Sequence, residues 1–136
     1  MAKTIPQIAD LVIKKLKKEG FVIQRYDSFS TNSVYLKLDY GVCNSIRISD
    51  HKGKQHLQYR YNLLSTHKGV NRHSSFGELP RYYYGFDALG LMLSEIVKAR
   101  ELRLNRYGEN QYKKYMETNK LNGKEQAGFW AKCVEV

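Results

Sequence analysis

The chain has 136 residues, the length of one domain that can bury a substantial core. With 42% apolar and 26% charged residues, the composition is that of a globular protein and excludes a disordered chain. There are 23 Lys and Arg residues against 13 Asp and Glu, a formal net charge of +10, and no apolar run is long enough for a transmembrane helix.

The N-terminal segment predicts an amphipathic helix. Thr4 is a good N-cap, Pro6 suits the first turn, and Gly20 can end the helix in a left-handed conformation. The apolar positions recur at helical spacing: Ile5, Ile8, Val12 and Leu16. Four lysines crowd the last turn: Lys14, Lys15, Lys17 and Lys18. We interpret these lysines as a solvated end that matches the helix dipole, in preference to a phosphate grip.

Four runs with the patterns of strands follow this helix. They cover residues 21–26, 34–38, 46–48 and 57–62. In the fourth run Tyr59 and Tyr61 share the apolar face, whereas Arg60 lies on the opposite, wetter face. The segment from Asp50 to Lys54 is typical of a hairpin turn, with Gly53 at a position of positive φ. The short connections therefore favour an antiparallel meander.

The second half of the chain begins with a long loop, residues 65–80, of the kind that is often functional. A fifth strand is predicted at residues 82–84, and Asp87 is expected to be the N-cap of a second helix. This helix has one apolar face and is expected to end at Gly108. The apolar face consists of Leu89, Met92, Leu93, Ile96 and Val97.

A third helix is predicted over residues 110–119, where Tyr112, Tyr115 and Met116 are expected to pack. The tail, residues 121–136, contains the run Phe129-Trp130-Ala131, which we expect to dock on the body because an exposed run of this kind would be sticky. The sequence thus predicts a single α+β domain over residues 1–136. Its parts are an N-terminal helix, an antiparallel sheet of four or five strands, and C-terminal helices packed on one face.

The N-terminal segment interleaves charge with apolar residues and so differs from a secretory signal, which indicates a cytoplasmic protein. Cys43 and Cys133 are the only cysteines, and we expect thiols rather than a disulfide. Neither belongs to a zinc-type pattern, and the acids Asp27, Asp39 and Asp50 are isolated from one another. We therefore predict no metal site and no cofactor.

The strongest functional pattern lies between His51 and Gly85. This stretch holds six Lys or Arg residues, all four histidines and one acid, Glu78, with aromatic residues interleaved. Cations that contact phosphates and flat side chains that stack on bases are what a nucleic-acid surface needs. The predicted contact residues are Arg60, Lys68, Arg72, Arg81, Lys52, Lys54, His67 and His73.

The preferred interpretation is a non-enzymatic protein that binds nucleic acid, with RNA or a ribonucleoprotein favoured over duplex DNA because no helix-turn-helix pattern is present. A membrane is not an expected partner. One alternative is an inhibitor that binds an effector protein directly. Another is a small ribonuclease that uses His67 and His73 for general acid–base catalysis. We assign no catalytic residues, because the sequence contains no nucleophile motif, phosphate loop or paired carboxylates.

Two resemblances add to this picture. The Lys-rich helix that leads through Lys18-Glu19-Gly20-Phe21 into a strand is similar to the start of the HicA toxin family, small ribonucleases with a double-stranded-RNA-binding-like fold. That family carries a Gly-Ser-His signature in the second strand region, where this chain has the histidine-free segment 27–32. Residues 45–63 resemble, in style, the small Tyr- and Lys-rich accessory proteins of Gram-positive phages and mobile elements, from which anti-CRISPR proteins are drawn.

Overall fold

A computed structural model of the chain describes residues 3–50, 59–63, 82–123 and 131–136. Its helices are α1 (Ile5–Lys18), α2 (Leu89–Tyr107) and α3 (Glu109–Asn122). Its strands are β1 (Ile23–Ser28), β2 (Ser33–Leu38), β3 (Ser45–Ser49), β4 (Tyr59–Asn62), β5 (Tyr82–Gly85) and β6 (Val134–Glu135). Two 3-10 turns, Asp39–Gly41 and Phe86–Ala88, follow β2 and β5. The predicted α+β class is confirmed.

The six strands form one mixed sheet in the order β5-β4-β3-β2-β1-β6, one strand more than the upper limit of the expectation. The pairings among β6, β1, β2 and β3 are antiparallel, whereas β3–β4 and β4–β5 are parallel. The expected antiparallel meander is therefore wrong for β4 and β5. The parallel pairing excludes a hairpin between β3 and β4. Of the predicted hairpin turn, Asp50 alone lies within the described residues.

The first helix matches its prediction closely. Thr4 and Gln7 form a capping box, in which the Gln7 N–H donates to Thr4 Oγ1 and the Thr4 N–H donates to Gln7 Oε1. Gly20 follows the helix with a φ of 92°, as its predicted role requires. The four predicted apolar positions are buried, so they fix the face that α1 turns to the sheet.

The core lies between one face of the sheet and the helices α1 and α2. The sheet contributes alternate residues, and Tyr59 and Tyr61 belong to this core as predicted. From α2, the buried residues Met92, Leu93 and Ile96 close the core from the other side. Ile96 follows Met92 by four residues and Leu93 by three, which places the three on one face of the helix.

The start of α2 and the packing of α3 differ from expectation. Asp87 lies in the 3-10 turn before α2, and the N-cap position belongs to Ala88, which makes no side-chain capping bond. Gly108, with a φ of 82°, separates α2 from α3 as predicted. On α3, Tyr112 is buried, but Tyr115 is 41% exposed and does not pack into the core as expected.

The C-terminal residues join the sheet. β6 pairs with β1, the Val136 N–H donates to the Ile23 carbonyl over 3.0 Å, and the Tyr40 hydroxyl bonds to Glu135. Of the run that was expected to dock, Ala131 is described and exposed, and Phe129 and Trp130 lie outside the described residues.

Candidate functional site

Of the predicted contact residues, Arg60 is the one that the structure describes. It lies in β4 on the sheet face opposite to α1 and α2, as the alternation predicted. Its side chain is only 6% exposed, however, so this face is not the wet surface that was expected. The other predicted contact residues lie outside the described part of the chain: Lys68, Arg72, Arg81, Lys52, Lys54, His67 and His73.

Arg60 belongs to a row of aligned residues that crosses the sheet, here called the cross-strand row. The row consists of Tyr26, Tyr35, Arg47, Arg60 and Tyr83, which are partners in register on adjacent strands. Its cations lie over its aromatic rings: the Arg60 guanidinium is 4.9 Å from the Tyr83 ring centre, and that of Arg47 is 5.8 Å from Tyr35. Arg47 also donates to Ser33 Oγ over 3.2 Å. These contacts stabilise the two neighbouring positive charges of Arg47 and Arg60, which would otherwise repel each other.

A third cation on the same face, Lys37, is also buried. Burial lowers the pKa of its ammonium group, because the charged form loses hydration. Its Nζ lies 4.0 Å from the position that a Cβ on Gly123 would occupy, at the C-terminal end of α3. Since a helix C-terminus carries partial negative charge, this location favours a cation. Because Lys37, Arg47 and Arg60 are buried, we assign the cations of this face a structural role rather than contact with a ligand.

A groove of about 570 Å³ lies beside the N-terminus of α1 and is here called the α1 groove. It lies at the carboxyl ends of the parallel strands β3, β4 and β5, a location where ligands commonly bind in sheets of this kind. Its volume is in the range of small-molecule sites, roughly 300–1,000 Å³. The residues that give it chemical character are Lys3, Ile5, Asn32, Asp50, Tyr61 and Phe86.

One wall of the α1 groove carries a polar pair. The Asn32 amide Nδ2 donates to Asp50 Oδ2 over 3.0 Å, and this bond joins the turn before β2 to the residue after β3. Asn32 has a φ of 47°, in the left-handed region that non-glycine residues seldom adopt. Asn tolerates this conformation, and the bond to Asp50 fixes the position of a carboxamide and a carboxylate at the groove.

The aromatic part of the groove is Phe86, whose side chain is 50% exposed. The buried Tyr61 hydroxyl donates to the Phe86 carbonyl over 2.8 Å and so fixes the backbone that carries the ring. A half-exposed ring on a fixed backbone is a surface on which a flat ligand can stack.

A second, shallower cleft of about 420 Å³ lies between α1 and α2. Lys15 and Lys18 line it together with Ser94 and Gly90. All four lysines of the α1 end are exposed, as expected for a solvated helix terminus. They add accessible positive charge to the helical side of the molecule.

Another cluster of polar side chains centres on Asp39, which is fully buried. Asp39 Oδ1 accepts from the Val22 N–H over 2.9 Å, and Oδ2 accepts from Arg100 Nε over 2.7 Å and from the Tyr112 hydroxyl over 2.5 Å. Burial and the bond to Asp39 raise the pKa of the Tyr112 hydroxyl. Because each carboxylate oxygen has a donor inside the protein, we assign this cluster a structural role.

Cys43 and Cys133 are free thiols, and Cys43 is buried. Burial raises the pKa of both thiols to about 11, so neither is a reactive thiolate near neutral pH. Within the ranges that the structure describes, no three His, Cys, Asp or Glu side chains come together as metal ligands. None of the described helices has both the length and the apolar character needed to cross a bilayer.

Comparisons with family models, with curated proteins and with solved structures found no match to this chain.

Sequence reasoning missed the residues of the α1 groove. Asp50 was assigned to a hairpin turn, and Asn32 and Phe86 received no role. These residues lie in three separate turns, so their spacing along the chain carried no signal. A parallel prediction for β3, β4 and β5 would have indicated the carboxyl ends of these strands as the place to search.

Proposed function

We propose that this protein binds nucleic acid without acting on it chemically, and that its ligand is RNA or a ribonucleoprotein. The observation that carries the proposal is the stretch from residue 51 to 85, with six Lys or Arg residues and one acid in a chain of net charge +10. Such a distribution attracts a polyanion. In this proposal the protein acts in the cytoplasm as a phage or mobile-element accessory factor, a counter-defence role included.

The described parts of this stretch lie at one side of the sheet, which supports the proposal. β4 and β5 belong to it, and β5 is the edge strand. Tyr61 of β4 lines the α1 groove, and Phe86 follows β5 directly. Both strands therefore end beside the groove.

Accessible aromatic rings favour a single-stranded ligand. Phe86 is 50% exposed beside the α1 groove, and Tyr115 on α3 is 41% exposed. Bases that are not paired can stack on such rings, whereas the bases of a duplex are already stacked on one another. The basic residues of the 51–85 stretch other than the buried Arg60 would supply the phosphate contacts.

The experiment is a titration of fluorescently labelled single-stranded RNA and of duplex DNA at several salt concentrations between roughly 50 and 200 mM. We expect the RNA to bind more tightly, with an affinity that falls steeply as salt rises. Absence of RNA binding at the lowest salt concentration would overturn the proposal.

Two double variants distinguish the effect of where the charges lie from the effect of net charge on RNA binding. Lys68→Gln with Arg72→Gln removes two charges from the basic stretch, and Lys113→Gln with Lys114→Gln removes two exposed charges from α3. If both residues of the first pair contact phosphates, the slope of log K against log salt decreases by about 1.4, since each contact to a single strand contributes about 0.7. Equal slopes in the two double variants would place the contact surface elsewhere.

The same protein preparations test whether the protein cleaves RNA. Labelled RNA incubated with the protein should remain intact at its original length. Cleavage that disappears in His67→Ala or His73→Ala would instead establish the ribonuclease alternative.

A further inference from the structure

We propose that the α1 groove accepts one unstacked nucleobase that carries an exocyclic amine, as adenine, cytosine and guanine do and uracil does not. This inference rests on the proposed nucleic-acid binding and specifies which part of the ligand is recognised. It follows from three features of the groove: its shape, its polar pair and its half-exposed ring.

The shape of the groove suits a flat ligand with one apolar face. The walls are largely apolar, with Ile5 and Pro6 of α1 on one side and Tyr61 and Phe86 on the other. A base from a single strand could lie along Phe86, because half of that side chain is accessible. Tyr61 fixes the backbone of Phe86, so the ring would need little ordering when a base arrives.

The polar pair supplies the recognition of the base edge. Asp50 is acceptor-only when ionised, and carboxylates accept hydrogen bonds from exocyclic base amines. Asn32 presents a carbonyl oxygen and a second amide N–H beside it, because its bond to Asp50 uses one of its two amide hydrogens. An amide of this kind can both donate to a ring nitrogen and accept from an amine, the pattern by which Asn pairs with adenine.

Uracil is the base that this pair would reject. It has no exocyclic amine, and its one base-edge donor, the ring N3–H, lies between two carbonyl oxygens that would face the Asp50 carboxylate and the Asn32 carbonyl. An acceptor that a bound base shields from water and that meets another acceptor loses the hydrogen bonds it made with water and gains none. The groove therefore discriminates through the missing donor as well as through the favourable contacts.

A cation completes the site. Lys3 is exposed and lines the same groove, next to the first turn of α1. Its ammonium can offset the negative charge of Asp50 and contact the phosphate that accompanies a bound base. The groove thus combines a stacking surface, a base edge reader and a phosphate contact.

The first experiment compares single-stranded oligoadenylate and oligouridylate RNA of equal length at one salt concentration. We expect the wild-type protein to bind oligoadenylate more tightly by about 5- to 150-fold, the range for one good base contact. Asp50→Ala should bring this ratio close to one, because alanine offers no acceptor to the base amine, whereas asparagine would keep a carbonyl oxygen. Glu117→Ala on α3 removes an exposed carboxylate of equal charge and should leave the ratio unchanged.

The second experiment tests the stacking surface with two phenylalanine variants. Phe86→Ala should weaken oligoadenylate binding by about 5- to 150-fold, the range for one stacked base. Phe29→Ala removes a ring that is 94% exposed and does not line the groove, so it should have a much smaller effect. Thermal unfolding of both variants would show whether either change acts through stability.

The outcomes separate this inference from the proposed function. If the wild-type protein binds RNA but treats the two oligonucleotides equally, or if both phenylalanine variants lose the same affinity, the groove is not the base site and the general proposal stands. If the wild-type protein binds neither RNA, both are overturned.

Discussion

Arg100 in α2 donates from Nε to Asp39 Oδ2 over 2.7 Å, and so links the second helix to the turn that follows β2. Asp39 is fully buried, and the Arg100 side chain keeps 21% exposure. The same carboxylate oxygen accepts from Tyr112, which ties α3 to the same point. This one acid therefore adds a polar attachment of both C-terminal helices to the end of β2.

We predict that Asp39→Asn lowers the free energy of unfolding by about 3 kcal/mol, because it leaves Arg100 without its counter-charge. The value is at the low end of the range for broken buried pairs, since Arg100 retains some solvent contact. Asparagine is the matched replacement because Asp39 has a φ of 50°, which Asn tolerates better than Ala. Urea unfolding measures the change, and a loss below about 1 kcal/mol would contradict the structural role.

Two glycines should respond to alanine in opposite directions. A Cβ added at Gly90 or at Gly108 would meet no atom within 4 Å, so the two sites differ in backbone conformation and not in space. Gly90 lies inside α2, where alanine should add about 0.5–1 kcal/mol of stability. Gly108 has φ 82° and ψ 156°, a region almost confined to glycine, and alanine there should cost about 1–3 kcal/mol. Thermal or urea unfolding of the two variants gives the signs, and equal signs would refute the argument.

From the raised pKa of the Cys43 thiol we predict a loss of stability at alkaline pH. Burial raises its pKa from the ordinary value near 9 to about 11, so between these values the folded protein keeps a proton that the unfolded chain releases. Its contribution is therefore intact below about pH 9 and is lost as the pH rises through 11. Urea unfolding at pH 8.5 to 11 measures the effect. The free energy of unfolding should fall by up to about 1.4 kcal/mol per pH unit for one proton.

The Cys43→Ala variant isolates this effect from other groups that titrate in the same range. Alanine leaves a small cavity and lowers stability at every pH, but its decline between pH 9 and 11 should be shallower than that of the wild type. Parallel curves for the two proteins would show that this thiol does not contribute.

The capping box of α1 predicts a measurable cost for Thr4→Ala. The variant loses the bond from the Gln7 N–H to Thr4 Oγ1, and the expected loss of stability is about 1 kcal/mol. Thr118→Ala, at an exposed position inside α3, is the matched control. It should be neutral or slightly stabilising because alanine has the higher helix propensity. A Thr4 effect no larger than that of the control would mean that the box is dispensable.

The sequence predicted most reliably what depends on neighbouring residues. The cap, apolar face and end of α1 are set within twenty residues, and the alternation that placed Tyr59 and Tyr61 in the core is a local pattern. The direction of strand pairing is not local, because alternating strands look alike whether they pair parallel or antiparallel. β6 was missed for a related reason: a pair of exposed residues has no periodicity, and its pairing with β1 is set by the fold.

The candidate site shows the same division. Arg60 was placed on the correct face, but its burial follows from packing that alternation does not report. Asp39, expected to be an isolated acid, became the centre of a cluster because Arg100 and Tyr112 approach it from helices 61 and 73 residues away in the chain. The α1 groove likewise exists only once Asn32, Asp50 and Phe86 are brought together.

The division of the sheet into an antiparallel half and a parallel half also sets an order for folding. The strands β1 to β3 are joined by short turns within residues 23–49, so they can pair early with little loss of chain entropy, whereas β4 and β5 depend on distant segments. In stopped-flow kinetics we expect Leu36→Ala in β2 to slow folding and Tyr84→Phe in β5 mainly to accelerate unfolding. If Leu36→Ala mainly accelerated unfolding and Tyr84→Phe slowed folding, this order would be excluded. Before β4 pairs with β3, the backbone N–H and C=O groups on that edge of β3 are unpaired. Because an unpaired strand edge can pair with another chain, a newly synthesised chain is most prone to aggregation at this stage.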